Sequence, residues 1–186
     1  MFRLLLQRDF GVLWFASLIS QIGDWVLFAA LPFYVYAMTH STLASGATFL
    51  ASNLPTILFG SAAGVPIDRW DRKRLIVIGE LAQGLVLLLL LLVQAKDALW
   101  LVYVVAFAES SIALLSGPSF TAAIPHTIKA GTLVQANGLL SAGQNVARLI
   151  GPPIAGLLMA VINLPGVVLL DTASFFIYRA FRTGAG

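Results

Sequence analysis

The chain has 186 residues, of which 59% are hydrophobic and only 10% charged, with a mean hydropathy of +0.92 and a formal net charge of +3. That is more apolar surface than a soluble core of this length can hide, so the water-soluble classes are excluded. The apolar runs are continuous rather than alternating and are rich in Leu, Ala and Gly; this excludes a transmembrane barrel and leaves an all-α, polytopic helical bundle in the lipid bilayer.

Met1 to Asp9 forms a polar lead carrying Arg3 and Arg8, too charged for a signal peptide and without a small-residue cleavage site. Six spans are predicted, at about 11–38, 43–67, 75–93, 98–118, 136–162 and 166–181. The first is longer than the roughly 20 residues a bilayer core requires, so it tilts or bends, with Pro32 as the bending point. His40 to Thr42 turns the chain into the second span, which contains Pro55. Gly64 to Leu75, GVPIDRWDRKRL, is a polar hinge to the third, and Gln94 to Asp97 is a tight turn to the fourth. A helix-breaking Gly117-Pro118 pair closes that span. Ile124 to Gln135 is a longer loop, and Leu164-Pro165 turns the fifth span into a sixth. From Gly166 to Tyr178 the last apolar run supplies only about 20 Å of helix against about 30 Å of hydrocarbon, so Arg179 has to snorkel. Thr183 to Gly186 then stops without a domain, and a longer parent protein is expected.

The basic residues set the orientation. With the amino terminus inside, Arg3, Arg8, Arg69, Arg72, Lys73, Arg74, Lys129, Arg179 and Arg182 all fall on the inner side, while Lys96 alone marks the outer one. This bias places both termini in the cytoplasm of a cell bearing the protein in its inner (cytoplasmic) membrane. The basic pI of about 9.6 therefore reports topology, not nucleic-acid binding.

Three ionisable residues remain at mid-membrane depth: Asp24 in span one, Glu109 in span four and Arg148 in span five. An ionised group at the bilayer centre costs roughly 2.5 to 3.5 kcal/mol, so these face one another or a watery cavity rather than lipid. Two acids against one base leave a carboxylate in surplus, which favours its protonated form; a proton-coupled transporter needs such a group, and a structural buried pair with a neutral acid beside it is the alternative. Asp171 and Glu80 are weaker candidates nearer the two interfaces, with Glu80 in reach of Arg74. Trp25 and Phe28, within a turn of Asp24, are the aromatics expected to line a substrate cavity.

Small residues recur every fourth position on span five (Gly143, Ala147, Gly151, Ala155) and on span two (Thr48, Ser52, Thr56, Gly60, Gly64). Such rows admit another helix closely, from within the bundle or from a partner.

GVPIDRWDRKRL resembles the loop signature of the major facilitator superfamily, with Gly64, Asp68, Arg69, Arg72, Lys73 and Arg74 on the matching positions and Asp71 where a second glycine is usual. GPPIAGLL resembles that superfamily's antiporter motif, with Gly151, Pro152 and Gly156 in register and Ala155 replacing a glycine. SQIGDWV (Ser20 to Val26) and LVQANGL (Leu133 to Leu139) are similar to the efflux branch that includes enterobactin exporters and macrolide efflux pumps. The resemblance implies a twelve-helix secondary transporter of two rocking halves, of which this chain is the amino-terminal one; its partner would be the missing half or a second copy. Helices one and four then line the cavity, and helices two and five face the other half. Asp68, at the inner end of span two, is expected to latch the two halves in the outward-facing state.

Enzymatic readings fail on their residues. No serine lies in a GxSG setting with a histidine on a later helix, His40 and His126 are both in loops, and no cysteine or His-x-x-x-His spacing offers a metal site. No GxxxxGK[ST] stretch occurs, so neither direct ATP use nor another cofactor is expected. The expected function is proton-coupled efflux of small amphipathic molecules; the alternative is a six-helix assembly or regulatory subunit without transport of its own.

Overall fold

The computed structural model describes residues 8–60, 72–93, 95–123 and 133–183. Within them the chain is helical, without a strand: α1 (Arg8–Thr39), α2 (Thr42–Phe59), α3 (Arg72–Leu88) continued by a 3₁₀ turn (Leu89–Leu92), a second 3₁₀ turn (Lys96–Ala98), α4 (Trp100–Ala123), and a stretch Leu133–Thr183 divided at Asn163 into α5 (133–162) and α6 (164–183). Gly64, Asp68 and Arg69 of the hinge lie outside the described residues, as does the inner end of the expected second span.

The α1–α2 reversal needs only two residues. His40 adopts φ 54°, the left-handed region, while its amide donates to Tyr36 O at 2.7 Å. Ser41 then caps α2, its Oγ accepting from the Ala44 amide at 3.2 Å. Several expected boundaries shift: α1 already begins at Arg8, Leu133 to Gln135 of the expected loop belong to α5, and the last reversal falls at Asn163 with Leu164 and Pro165 in the helix after it. Arg72, Lys73 and Arg74 form the first turn of α3 rather than the loop before it. α4 runs through Gly117-Pro118 to Ala123 instead of stopping there. Proline forfeits one hydrogen bond and clashes with the Cβ of the residue before it, but Gly117 has no Cβ, so half of that obstacle is missing. Pro32, Pro55, Pro152 and Pro153 also sit inside continuous helices.

Asn163, at φ 55° and ψ −177°, is the reversal between α5 and α6. Contacts with α1 demonstrate it. A Cβ on Gly151 would meet Trp25, and one on Gly23 would overlap Asp171. Positions 151 and 171 would be about 30 Å apart on a straight helix, yet they touch residues two apart on α1. The chain therefore doubles back between them, and Asn163 is where it does so.

The same contacts fix helix directions. Trp14 Nε1 donates to Leu139 O at 2.9 Å while Trp25 meets Gly151, so α1 and α5 run parallel. Tyr103 donates to Ala44 O at 3.1 Å, and Ser110 shares a cavity with Ser52, so α4 and α2 also run parallel. Tyr34 ties α1 to the end of the α3 turn through Val93 O at 2.8 Å. The core between them is apolar: Leu27, Ala30 and Val35 of α1 with Leu87, Leu90, Val102, Val105, Ala155, Leu164 and Val168. The outer surface is apolar as well, with Leu43, Leu50, Ile57, Leu85, Leu149, Leu157 and Val161 exposed, as suits a bundle whose solvent is lipid.

Among the described residues, Ser17–Thr39, Lys96–Leu115 and Val134–Ser174 are long and apolar enough to cross a membrane, and Val77–Leu92 is a shorter apolar helix. Val134–Ser174 contains the Asn163 reversal and so comprises two arms.

Candidate functional site

A cavity of about 220 Å³ opens between α1, α2, α3 and α4. Its α1 wall presents Asp24, Trp25, Leu27, Phe28 and Leu31; Ser52 comes from α2, Gln83 from α3, and Ala106, Glu109, Ser110 and Ala113 from α4. Helical spacing explains the α1 wall, since residues 24, 27, 28 and 31 occupy one face. Most of the lining is apolar, with two carboxylates as its ionisable groups.

Asp24 is exposed on this cavity. Glu109 is half-buried across from it, where Gln83 Nε2 donates to Oε2 at 3.1 Å and Oε1 has no hydrogen-bond partner. The two carboxylates line the same cavity. Trp25 and Phe28 meet edge to face at 5.3 Å between centroids, and Phe28 meets Phe49 of α2 likewise at 5.5 Å, so the aromatic wall is a connected set. Asp24, Glu109, Trp25 and Phe28, singled out in the sequence, are thus brought to one place.

Arg148 is not brought there as an ion pair. Its guanidinium lies 5.4 Å from the centroid of the Trp25 ring, and it forms no salt bridge with Asp24 or Glu109. Of the two surroundings expected for Arg148, the acids or a watery cavity, it does not meet the acids: its guanidinium lies over Trp25, which itself lines the cavity.

The span-five row packs within the bundle, one of the two alternatives the sequence left open: Gly143, Ala147, Gly151 and Ala155 are buried, Ala147 and Ala155 completely. Gly143 lies beneath Trp14, and Gly151 beneath the Trp25 backbone, where an added Cβ would sit 2.5 Å from Trp25 Cβ. The small residues let α1 settle on α5. Pro152 is half-buried, and Gly156 faces outward with open space over it. On α2 the row is divided: Thr48 is buried, Ser52 reaches the cavity, and Thr56 and Gly60 are exposed.

Three residues gain importance that sequence reasoning missed or ranked low. Gln83 holds Glu109, a role no spacing on α3 signals. Asp171, expected near an interface, is only 3% exposed and lies against Gly23 of α1. Gly23 is the clue that was available, because a glycine directly before an intramembrane acid marks a place where something approaches the backbone closely. Among the described residues no group of three or more His, Cys, Asp and Glu is arranged to hold a metal ion.

Residues 2–181 match the family described as transmembrane secretion effector. Macrolide efflux protein A of Streptococcus pyogenes is 28% identical over 168 residues, covering 89% of this chain and 41% of the relative. The MFS-type transporter YfiS of Bacillus subtilis is 25% identical over 172 residues, 92% of this chain and 40% of the relative. The enterobactin exporter EntS of Shigella boydii is 28% identical over 153 residues, 81% and 37% respectively. The chain thus spans about two-fifths of the length of the curated relatives it matches. No solved structure matches it.

Proposed function

Because this chain belongs to the major facilitator superfamily, in its transmembrane secretion effector family, we propose that it forms the amino-terminal six-helix half of a secondary active efflux transporter for small amphipathic molecules, driven by protons. The six helical segments each cross the cell membrane, and both ends lie in the cytoplasm. The observation that carries this reading is the cavity in which Asp24 and Glu109 meet under an aromatic wall of Trp25 and Phe28. Aromatic faces suit an apolar ligand body, and a carboxylate without an ion-pair partner can accept a proton or meet a ligand's polar group.

Size supports a shared site. Drug-sized ligand pockets run to about 300–1,000 Å³, whereas this half contributes about 220 Å³. A facing half, or a second copy of this one, completes the binding site, and transport proceeds as the two rock about it. Hinge residues Gly64, Asp68, Arg69, Arg72, Lys73 and Arg74 act at the inner end of that motion, with Asp68 as the latch.

The test is transport by the full-length protein in proteoliposomes, with a macrolide and enterobactin as probes. Asp24→Asn and Glu109→Gln should each abolish the response of export to an imposed proton gradient. If both variants export as the parent does under the same gradient, the proposed coupling is wrong.

A further inference from the structure

Arg148 lies at the middle of α5, at the level of Trp25 on α1, and it is exposed there. A charged group at that depth does not face lipid, and a guanidinium, unlike a carboxylate, has no neutral form to adopt. Among the described residues Arg148 forms no ion pair; it meets the Trp25 ring, 5.4 Å from the centroid. An aromatic face attracts the charge but does not engage the fork of five N–H donors, which calls for paired acceptor oxygens.

The neighbours of Arg148 on α5 indicate what it faces. Asn137, Ser141, Gln144 and Arg148 follow one another at intervals of four, three and four, and all are exposed. That spacing makes one polar stripe along the helix. Val146, Leu149 and Leu157, also exposed, fall on a separate apolar face that suits lipid. The stripe therefore borders water or a ligand path, and Trp25 joins it to the cavity, because the indole that carries Arg148 also lines the cavity beside Asp24 and Phe28. A molecule resting against Trp25 is within reach of both. Charge then orients it: an acidic group is drawn towards Arg148 and away from Asp24 and Glu109.

We propose that Arg148, with Gln144 one turn before it, binds an acidic oxygen group, carboxylate or phosphate, on a molecule whose apolar body lies on Trp25 and Phe28. The planar guanidinium matches two oxygens of either group at once, and the Gln144 amide offers a further donor. The substrate class narrows from amphipathic molecules at large to amphipathic acids. An acid is favoured over an amine because the cavity carboxylates can be neutralised by a proton, whereas the charge of Arg148 is permanent and without a counterion among the described residues. Only the export of such an acid rests on the efflux reading; its binding does not.

Equilibrium dialysis against the full-length transporter in phosphatidylcholine nanodiscs, with empty discs subtracted, tests the site. Naphthylacetate, naphthyl phosphate, naphthylethylamine and naphthylethanol share an apolar body and differ in charge. At least one of the two acids should bind more tightly than the alcohol and the amine. Arg148→Gln should weaken that acid about ten- to a hundredfold, the value of a hydrogen bond to a charged group, and leave the alcohol unchanged. Arg148→Lys keeps the charge without the fork and should fall between; this variant and the order of acid, alcohol and amine in the parent decide the matter if Arg148→Gln does not fold. Tighter binding of the amine than of either acid would overturn the proposal. So would equal acid binding by the parent and Arg148→Gln, which assigns Arg148 to a fixed acid elsewhere in the protein. Acid binding that disappears when phosphatidylglycerol replaces phosphatidylcholine would also overturn it, by assigning Arg148 to a lipid headgroup. Arg148-dependent binding of an acid that proteoliposomes do not export would instead overturn the efflux reading and leave the binding site standing.

Discussion

α1 and α4 can be compared directly, each a long helix with a carboxylate near mid-length and each packed on two other helices. α1 lies on α5 and α6; α4 lies on α2 and α3. Their seams are built differently. Backbone approach closes the α1 seam, where Gly23 and Gly151 leave no room for a Cβ. Side-chain hydrogen bonds hold the α4 seam, from Tyr103 to Ala44 O and from Gln83 to Glu109. Where backbones touch, at Gly23 and Gly151, almost no added volume is tolerated, whereas contacts made by side-chain hydrogen bonds tolerate volume and are sensitive to polarity.

Substitutions can break this contrast. Gly151→Val should have the largest effect, since overpacking a tight contact costs about 1–3 kcal/mol, read as a lower unfolding midpoint in detergent; an equal loss from Ala106→Val on α4 would erase the distinction between the seams. Gln83→Leu removes the donor to Glu109, and leaving a buried acceptor unmatched costs about 1–3 kcal/mol. It should lower the midpoint in the parent and much less in Glu109→Leu, as a double-mutant cycle reports. Tyr103→Phe and Tyr34→Phe each remove one hydroxyl bond worth about 0.5–1.5 kcal/mol, and should loosen the helix ends, seen as faster amide exchange around Ala44 and Val93. Arg148→Gln comes last. Its contact with Trp25 is worth about 0.5–1 kcal/mol at an exposed site, so tryptophan fluorescence should shift with little change in stability.

Much of the fold could be read from the sequence because membrane helices announce themselves by length and apolarity. The order of helices and the turn at His40 followed from that alone, while the last reversal falls at Asn163, just ahead of the expected Leu164-Pro165, which lie in the helix that follows. Helix ends were less legible, as α4 passing through Pro118 illustrates: a breaker's strength depends on its neighbour, and Gly117 weakens this one. Asp24 and Glu109 were legible because any mid-membrane acid demands a reason, and Trp25 and Phe28 because helical spacing puts them beside Asp24. What Arg148 meets was not legible. Charge balance argued for an ion pair, but which flank of α1 receives α5 depends on tertiary packing, which a list of charges does not contain. For the same reason the row Gly143, Ala147, Gly151 and Ala155 was recognisable as a packing surface while the helix it accepts was not.

The contact between Trp14 and Leu139 joins residues 125 positions apart. Ribosomes add about 5–20 residues per second, so roughly 6–25 s pass between the emergence of these two positions. α3 and α4 are consecutive and can pair almost at once. During biogenesis, α1 therefore waits in the lipid with its glycine-lined face uncovered long after the α3–α4 hairpin has formed, and the interval is the time in which a chaperone or an insertase can act on it. Slowing translation across the α4–α5 connection would lengthen that wait and increase degradation of the nascent chain, whereas the same slowing after α6 has emerged would not.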